Sequence, residues 1–172
     1  MQSIYLIALI ILIAFAVLDL MVGVANDAVN FLNSAVGSKA ASRRVIYTVA
    51  TIGILVGVMT SSGMMEVARN GVFHPGMFTF FDVMMLFLAV VLTDVIMLDI
   101  FNSLGLPTST TVSLIFELLG SSVCIALFKI SHDPALNVSN MAQYINGGKA
   151  LGMISGILVS VVIAFVTGSV VM

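Results

Sequence analysis

The chain has 172 residues, of which 60% are hydrophobic and only 8% charged, and its mean hydropathy is +1.22. Soluble domains carry about 25% charged residues, so a water-covered globule is excluded and most of the surface must face hydrocarbon. The net charge of −2 excludes a basic field for nucleic acid, and a single cysteine, Cys124, excludes an internal disulfide or a thiolate metal site.

Five apolar stretches, roughly 3–25, 45–67, 80–101, 107–130 and 149–171, are long enough to cross a bilayer as helices, which need about 20 residues each. Helices satisfy their own backbone groups, as lipid requires, and no barrel-type alternation runs through these stretches. The expected fold is all-α: a polytopic transmembrane bundle of about five membrane segments forming a single domain over residues 1–172.

The first stretch ends in an Ala14-Phe15-Ala16 run that loosely resembles a cleavage site. No Lys or Arg precedes it, so an uncleaved first span is expected rather than a secretory leader. Next, residues 23–38 read as an amphipathic helix. At helical spacing Asn26, Asn30, Asn33 and Gly37 share one face, with Asp27 and Ser34 beside them. Their carboxamide and carboxylate oxygens suit a hard monovalent cation such as Na⁺. An ordinary interfacial helix is the competing explanation, but such helices favour Lys and Arg on the polar face.

Lys39, Arg43 and Arg44 follow. The positive-inside rule places this loop in the cytoplasm and the N-terminus outside. The remaining basic residues are Arg69, Lys129 and Lys149. Five full crossings would put three basic residues on each side, whereas a re-entrant hairpin over 105–130 would give five against one. Charges alone leave this open. Gly53 with Gly57, and Gly152 with Gly156, form small-residue faces expected to pack helices closely.

Six acidic residues fall in or at the edge of apolar stretches: Asp19, Asp27, Asp82, Asp94, Asp99 and Glu117. A carboxylate at mid-bilayer costs about 2.5–3.5 kcal/mol on insertion scales. With every basic residue in a loop or at a span end, each must be protonated, hydrated or neutralised by a bound cation. Asp19 and Asp82 are the two most readily placed at the interface instead.

The run Gly105-Leu106-Pro107-Thr108-Ser109-Thr110-Thr111 follows a span and precedes an apolar stretch. Proline with Ser and Thr marks a helix start. The first N–H groups, the dipole and the hydroxyls would together hold an anion without arginine; plain N-capping at the interface is the alternative. Thr110, Ser113, Glu117 and Ser121 continue along that helix at three- and four-residue steps, and Asp99, Asn102 and Ser103 share a face of the preceding span. These could line one cavity or simply bond between helices. Residues 131–148, with Pro134 and Gly147-Gly148, read as a polar surface loop.

Ala25, Asn26, Asp27, Asn30, Val36, Gly37 and Ser38, and then Gly105, Leu106, Pro107, Ser109, Thr110 and Thr111, resemble the two signatures of the PiT family of inorganic phosphate transporters. The resemblance spans roughly residues 1–130. Val24 stands where the family usually has Gly, Asn33-Ser34 where Gly-Thr is common, and Val112 where His often follows. The resemblance implies a multi-pass protein of the cell (inner or plasma) membrane that carries phosphate with Na⁺ or H⁺ and has no other cofactor. It implies two inverted halves and a broken or re-entrant helix at a shared midplane site. Carried over, Asp27, Asn30, Ser109, Thr110 and Thr111 would bind phosphate, and Asn26, Asp27, Asn30 and Glu117 the cation, with Na⁺ at Asn26, Asp27 and Asn30. One copy of each motif suggests an N-terminal half that needs a C-terminal half, or a second copy, to complete the site. The alternatives are a carrier of another oxyanion such as sulfate, a non-transporting scaffold, and an intramembrane aspartyl protease. The last is disfavoured because Asp94 and Asp99 diverge by about 140° on a helix.

Overall fold

The computed structural model describes residues 2–62, 66–67, 71–133 and 136–171; the sequence features at Arg69 and Pro134 lie outside these. Five long helices dominate: α1 (Gln2–Gly37), α2 (Arg43–Thr60), α3 (Phe80–Leu104), α4 (Thr110–His132) and α5 (Gly147–Val171). All five are long and apolar enough to cross a membrane, and the chain is a multi-pass membrane protein.

The first apolar stretch and the polar stretch 23–38 are one helix. No proline interrupts the 36 residues of α1, which at about 1.5 Å per residue run to roughly 54 Å, well beyond the ~30 Å hydrocarbon core. The helix ends where Lys39 turns left-handed, at φ 53°. The Lys39 and Ala40 amides then donate back to Val36 O and Ala35 O, both at 3.3 Å, which closes the end as a Schellman motif.

Phe80–Leu104 starts in a capping box. The Thr79 hydroxyl accepts from Asp82 N at 3.2 Å, and Asp82 Oδ2 accepts from Thr79 N at 2.8 Å. It ends at Gly105, φ 67°, where the Gly105 and Leu106 amides donate to Asn102 O at 3.2 Å and Phe101 O at 2.9 Å. Pro107 cannot continue the helix, and Ser109 caps the next one, its Oγ accepting from Val112 N at 3.4 Å. Gly105 is thus needed for its left-handed backbone. Gly105→Val is expected to cost about 1–2 kcal/mol, visible as a lower unfolding midpoint in detergent, with Gly105→Asn recovering part of the loss.

Helices α1 and α3 run parallel. The Tyr5 ring packs edge-on to Phe80 and Phe81, Gly23 faces Leu98, and Asn26 meets Asn102. Helix α4 returns antiparallel to α3, so that Lys129 reaches Asp82 at 2.8 Å. Segment 105–130 is therefore a turn and a single helix, and no hairpin forms within it. The start of α5 joins the same end through Asn146 N donating to Val72 O and His74 N donating to Tyr144 O. Lys129 and Lys149 lie at that end and Lys39, Arg43 and Arg44 at the other, so the five-against-one charge distribution is not realised.

The core lies between α3, α4 and the segments that precede α3 and α5, with Leu86, Val90, Leu118 and Ala126 fully or nearly fully buried, while Leu98 is buried where α3 meets Gly23 of α1. The stretch 131–148 departs from the expected surface loop. It forms short helical turns at Val138–Asn140 and Met141–Tyr144, and its Tyr144 and Ile145 are buried against Phe73 and Phe78. Its polar composition hid the two side chains that anchor it. The small-residue faces of α2 and α5 also depart from expectation: a Cβ on Gly53, Gly57, Gly152 or Gly156 would meet nothing within 4 Å. Those faces are open, and the helices present exposed apolar side chains along most of their length.

Candidate functional site

The polar face of α1 turns towards the α3–α4 connection. Asn26 sits at the centre, only 3% exposed. Its Nδ2 donates to Asn102 Oδ1 at 2.8 Å, and its Oδ1 accepts from Asn30 Nδ2 at 3.2 Å. Asn30 Nδ2 also donates to Thr108 O at 2.8 Å, and Asn102 Nδ2 donates to Val22 O at 3.4 Å. Burying an amide is tolerable only when it is bonded, and this chain of carboxamides ties α1 to both limbs of the turn.

One face over, Thr110 Oγ1 donates to both oxygens of Asp27, at 3.3 and 3.4 Å. Thr110 is the first residue of α4, so the Asp27 carboxylate lies against the positive end of that helix. Helix geometry leaves the first-turn amides free of intrahelical partners. A cavity of about 310 Å³ opens here, lined by Asp19, Gly23, Asp27, Asp94, Thr110 and Thr111. A water takes about 30 Å³ of liquid, so an oxyanion fits with water to spare. A neighbouring cavity of about 490 Å³ is lined by Asn26, Asn30, Asn33, Asn102, Gly105 and Pro107. A third, of about 840 Å³, is a largely apolar groove between α3 and α4 that includes Thr93, Ser109, Ser113, Glu117, Ser121 and Cys124.

The structure thus brings together Asn26, Asp27, Asn30 and Thr110, with Thr111 lining the same cavity as Asp27. Ser109 serves as the α4 cap and opens onto the groove side. Glu117, expected in one cation set with Asn26, Asp27 and Asn30, stands apart. It lies about 10 Å further along α4, faces the groove, and neighbours Asp94 instead. Asn102 joins the network from the face it was expected to share with Asp99 and Ser103, both of which are exposed. Asp94 is buried and Asp99 is not, so the two do not meet as a proton-sharing pair. The expectation that the interior carboxylates lack basic partners fails for Asp82, which pairs with Lys129.

Sequence reasoning missed the contribution of Asp19 and Asp94 to the cavity walls. The signal was present for Asp19: with Gly23 and Asp27 it repeats at four-residue steps, one face of α1.

A family model described as the phosphate transporter family matches residues 23–172, from the start of the polar stretch of α1 through the α3–α4 turn and on to α5. Neither the curated proteins nor the solved structures gave a match.

Proposed function

The chain belongs to the phosphate transporter family, and from that premise we propose that its phosphate site lies where the polar face of α1 meets the start of α4. The observation that carries this reading is the Asp27–Thr110 contact inside a cavity that Thr111 also lines. Thr110 and Thr111 offer hydroxyl donors, Ser109 as the cap fixes where they stand, and the first turn of α4 adds amides at the same end. Asn30, bonded to Thr108 O, faces the adjoining cavity, and with Asn26 it holds α1 in register with the turn.

The charges support cation symport. The described basic side chains lie at the helix ends, and Asp27 is itself negative. Phosphate beside Asp27 would be repelled unless a positive ion sat between them, since like charges a few ångströms apart in a poorly screened site cost several kcal/mol. A Na⁺ ion or a proton shared by Asp27 and phosphate removes the repulsion, so the two cargoes bind together. The exposed polar residues Asp99 and Asn33, with the open faces of α2 and α5, fit a second half or a second copy completing the enclosure.

Ligand-dependent stability tests the reading. Phosphate at 100 times its dissociation constant should stabilise the protein by about 2.7 kcal/mol, and only when Na⁺ or acid is supplied. Sulfate in its place measures selectivity. A scaffold without a site would show no phosphate-dependent shift under any ionic condition.

A further inference from the structure

Asp94 is 6% exposed and lies near the middle of α3. It lines the cavity that also holds Asp19 and Asp27, and its Oδ1 has no hydrogen-bond partner. Its side chain interacts with Asp19 on α1 and with Glu117 on α4. Asp19 Oδ1 and both Glu117 oxygens are buried and unpartnered as well. Three carboxyl groups from three helices therefore meet with acceptors facing acceptors.

Among the described residues, the groups around Asp94 offer no compensating charge. Helix α1 presents Asp19 and Asp27, and α4 presents Glu117, with Cys124 further along the same groove. On α3 itself, Asp99 points outward and Asp82 is held by Lys129, about 18 Å away along the helix. Three bare carboxylates would each cost about 2.5–3.5 kcal/mol at mid-membrane, before their mutual repulsion. Protons meet the requirement directly. One on the Asp19–Asp94 contact and one on the Asp94–Glu117 contact turn two repulsive encounters into two hydrogen bonds.

We propose that Asp19, Asp94 and Glu117 form a proton-binding triad, bridged by Asp94, that fastens α1 to the α3–α4 hairpin beside the Asp27 cavity. Loading the triad closes the three helices on one another; unloading it places like charges between them. Because α1 also carries Asn26, Asp27 and Asn30, the proton state of the triad sets how firmly that face meets the α4 start.

Infrared spectroscopy of the full chain in lipid nanodiscs, without phosphate, reads the protons through the carbonyl stretch of protonated carboxyls. At neutral pH the band should be present and unchanged when choline replaces Na⁺. Asp94→Asn should abolish it, because the amide supplies two N–H donors to Asp19 and Glu117 and replaces both protons. Glu117→Gln should reduce it about twofold, leaving the Asp19–Asp94 proton. This variant keeps Asp94 in place and serves if Asp94→Asn does not fold. No band at neutral pH, a band that Glu117→Gln leaves intact, or a band discharged by Na⁺ would each overturn the proposal. Phosphate takes no part in the measurement, so its outcome is independent of the phosphate reading.

Discussion

Asp27→Asn should reduce the initial rate of phosphate uptake by the assembled transporter in proteoliposomes by about 10–150-fold. The variant removes the carboxylate that faces Thr110 at the α1–α4 junction, while the amide still occupies the same volume. Hydrogen bonds to charged groups contribute about 1.5–3 kcal/mol, and each 1.4 kcal/mol is a factor of ten. Loss of the coupling cation adds to that deficit. The pattern matters as much as the size: if the cation binds between Asp27 and phosphate, the apparent affinities for phosphate and for the cation must fall together. Thr110→Ser, which keeps the hydroxyl facing Asp27, should retain most activity, and Thr110→Val should not. Uptake by Asp27→Asn at the wild-type rate would remove Asp27 from the site altogether.

Much of the architecture was legible because hydrocarbon is an undiscriminating solvent. The five apolar stretches became five helices, since length and hydropathy alone decide whether a segment crosses. The two motifs were legible for a local reason. Gly105 and Pro107 end one helix and delay the next, and Ser109 caps it, so the placement of Thr110 and Thr111 in the first turn of α4 depends on neighbours in sequence. That Asn26, Asp27 and Asn30 lie together on one side of α1 followed from a helical repeat, and the family resemblance implied that this side meets the turn. What remained hidden depended on which helices pair and in which direction. Glu117 lies on the same helix as Thr110, and only the packing of α4 against α3 decides that it meets Asp94 rather than Asp27. Asp82 looked like a lone carboxylate because its partner, Lys129, arrives from the far end of an antiparallel helix. Tyr144 and Ile145 were masked by polar neighbours, and their burial against Phe73 and Phe78 is a long-range contact with no local signature.

The carboxamide chain has a separate purpose from the hydroxyls, and one substitution separates them. Asn26→Leu preserves size in a nearly closed position but leaves Asn102 Oδ1 without its donor and Asn30 without one acceptor. Hydrogen bonds between membrane helices average about 0.6 kcal/mol and reach about 1.7, so a total loss of roughly 1–3 kcal/mol in stability is expected, with phosphate affinity weakened about tenfold as α1 loosens from the turn. The double variant Asn26→Leu with Asn102→Leu makes the distinction. Replacing both partners of a buried hydrogen bond with apolar groups is often close to neutral, so its unfolding midpoint should recover towards that of the wild type. Phosphate affinity should stay low, because neither leucine restores the register in which Asn30 reaches Thr108 and Asp27 reaches Thr110. Recovery of affinity along with stability would show that the amides only glue the helices together and do not position the site.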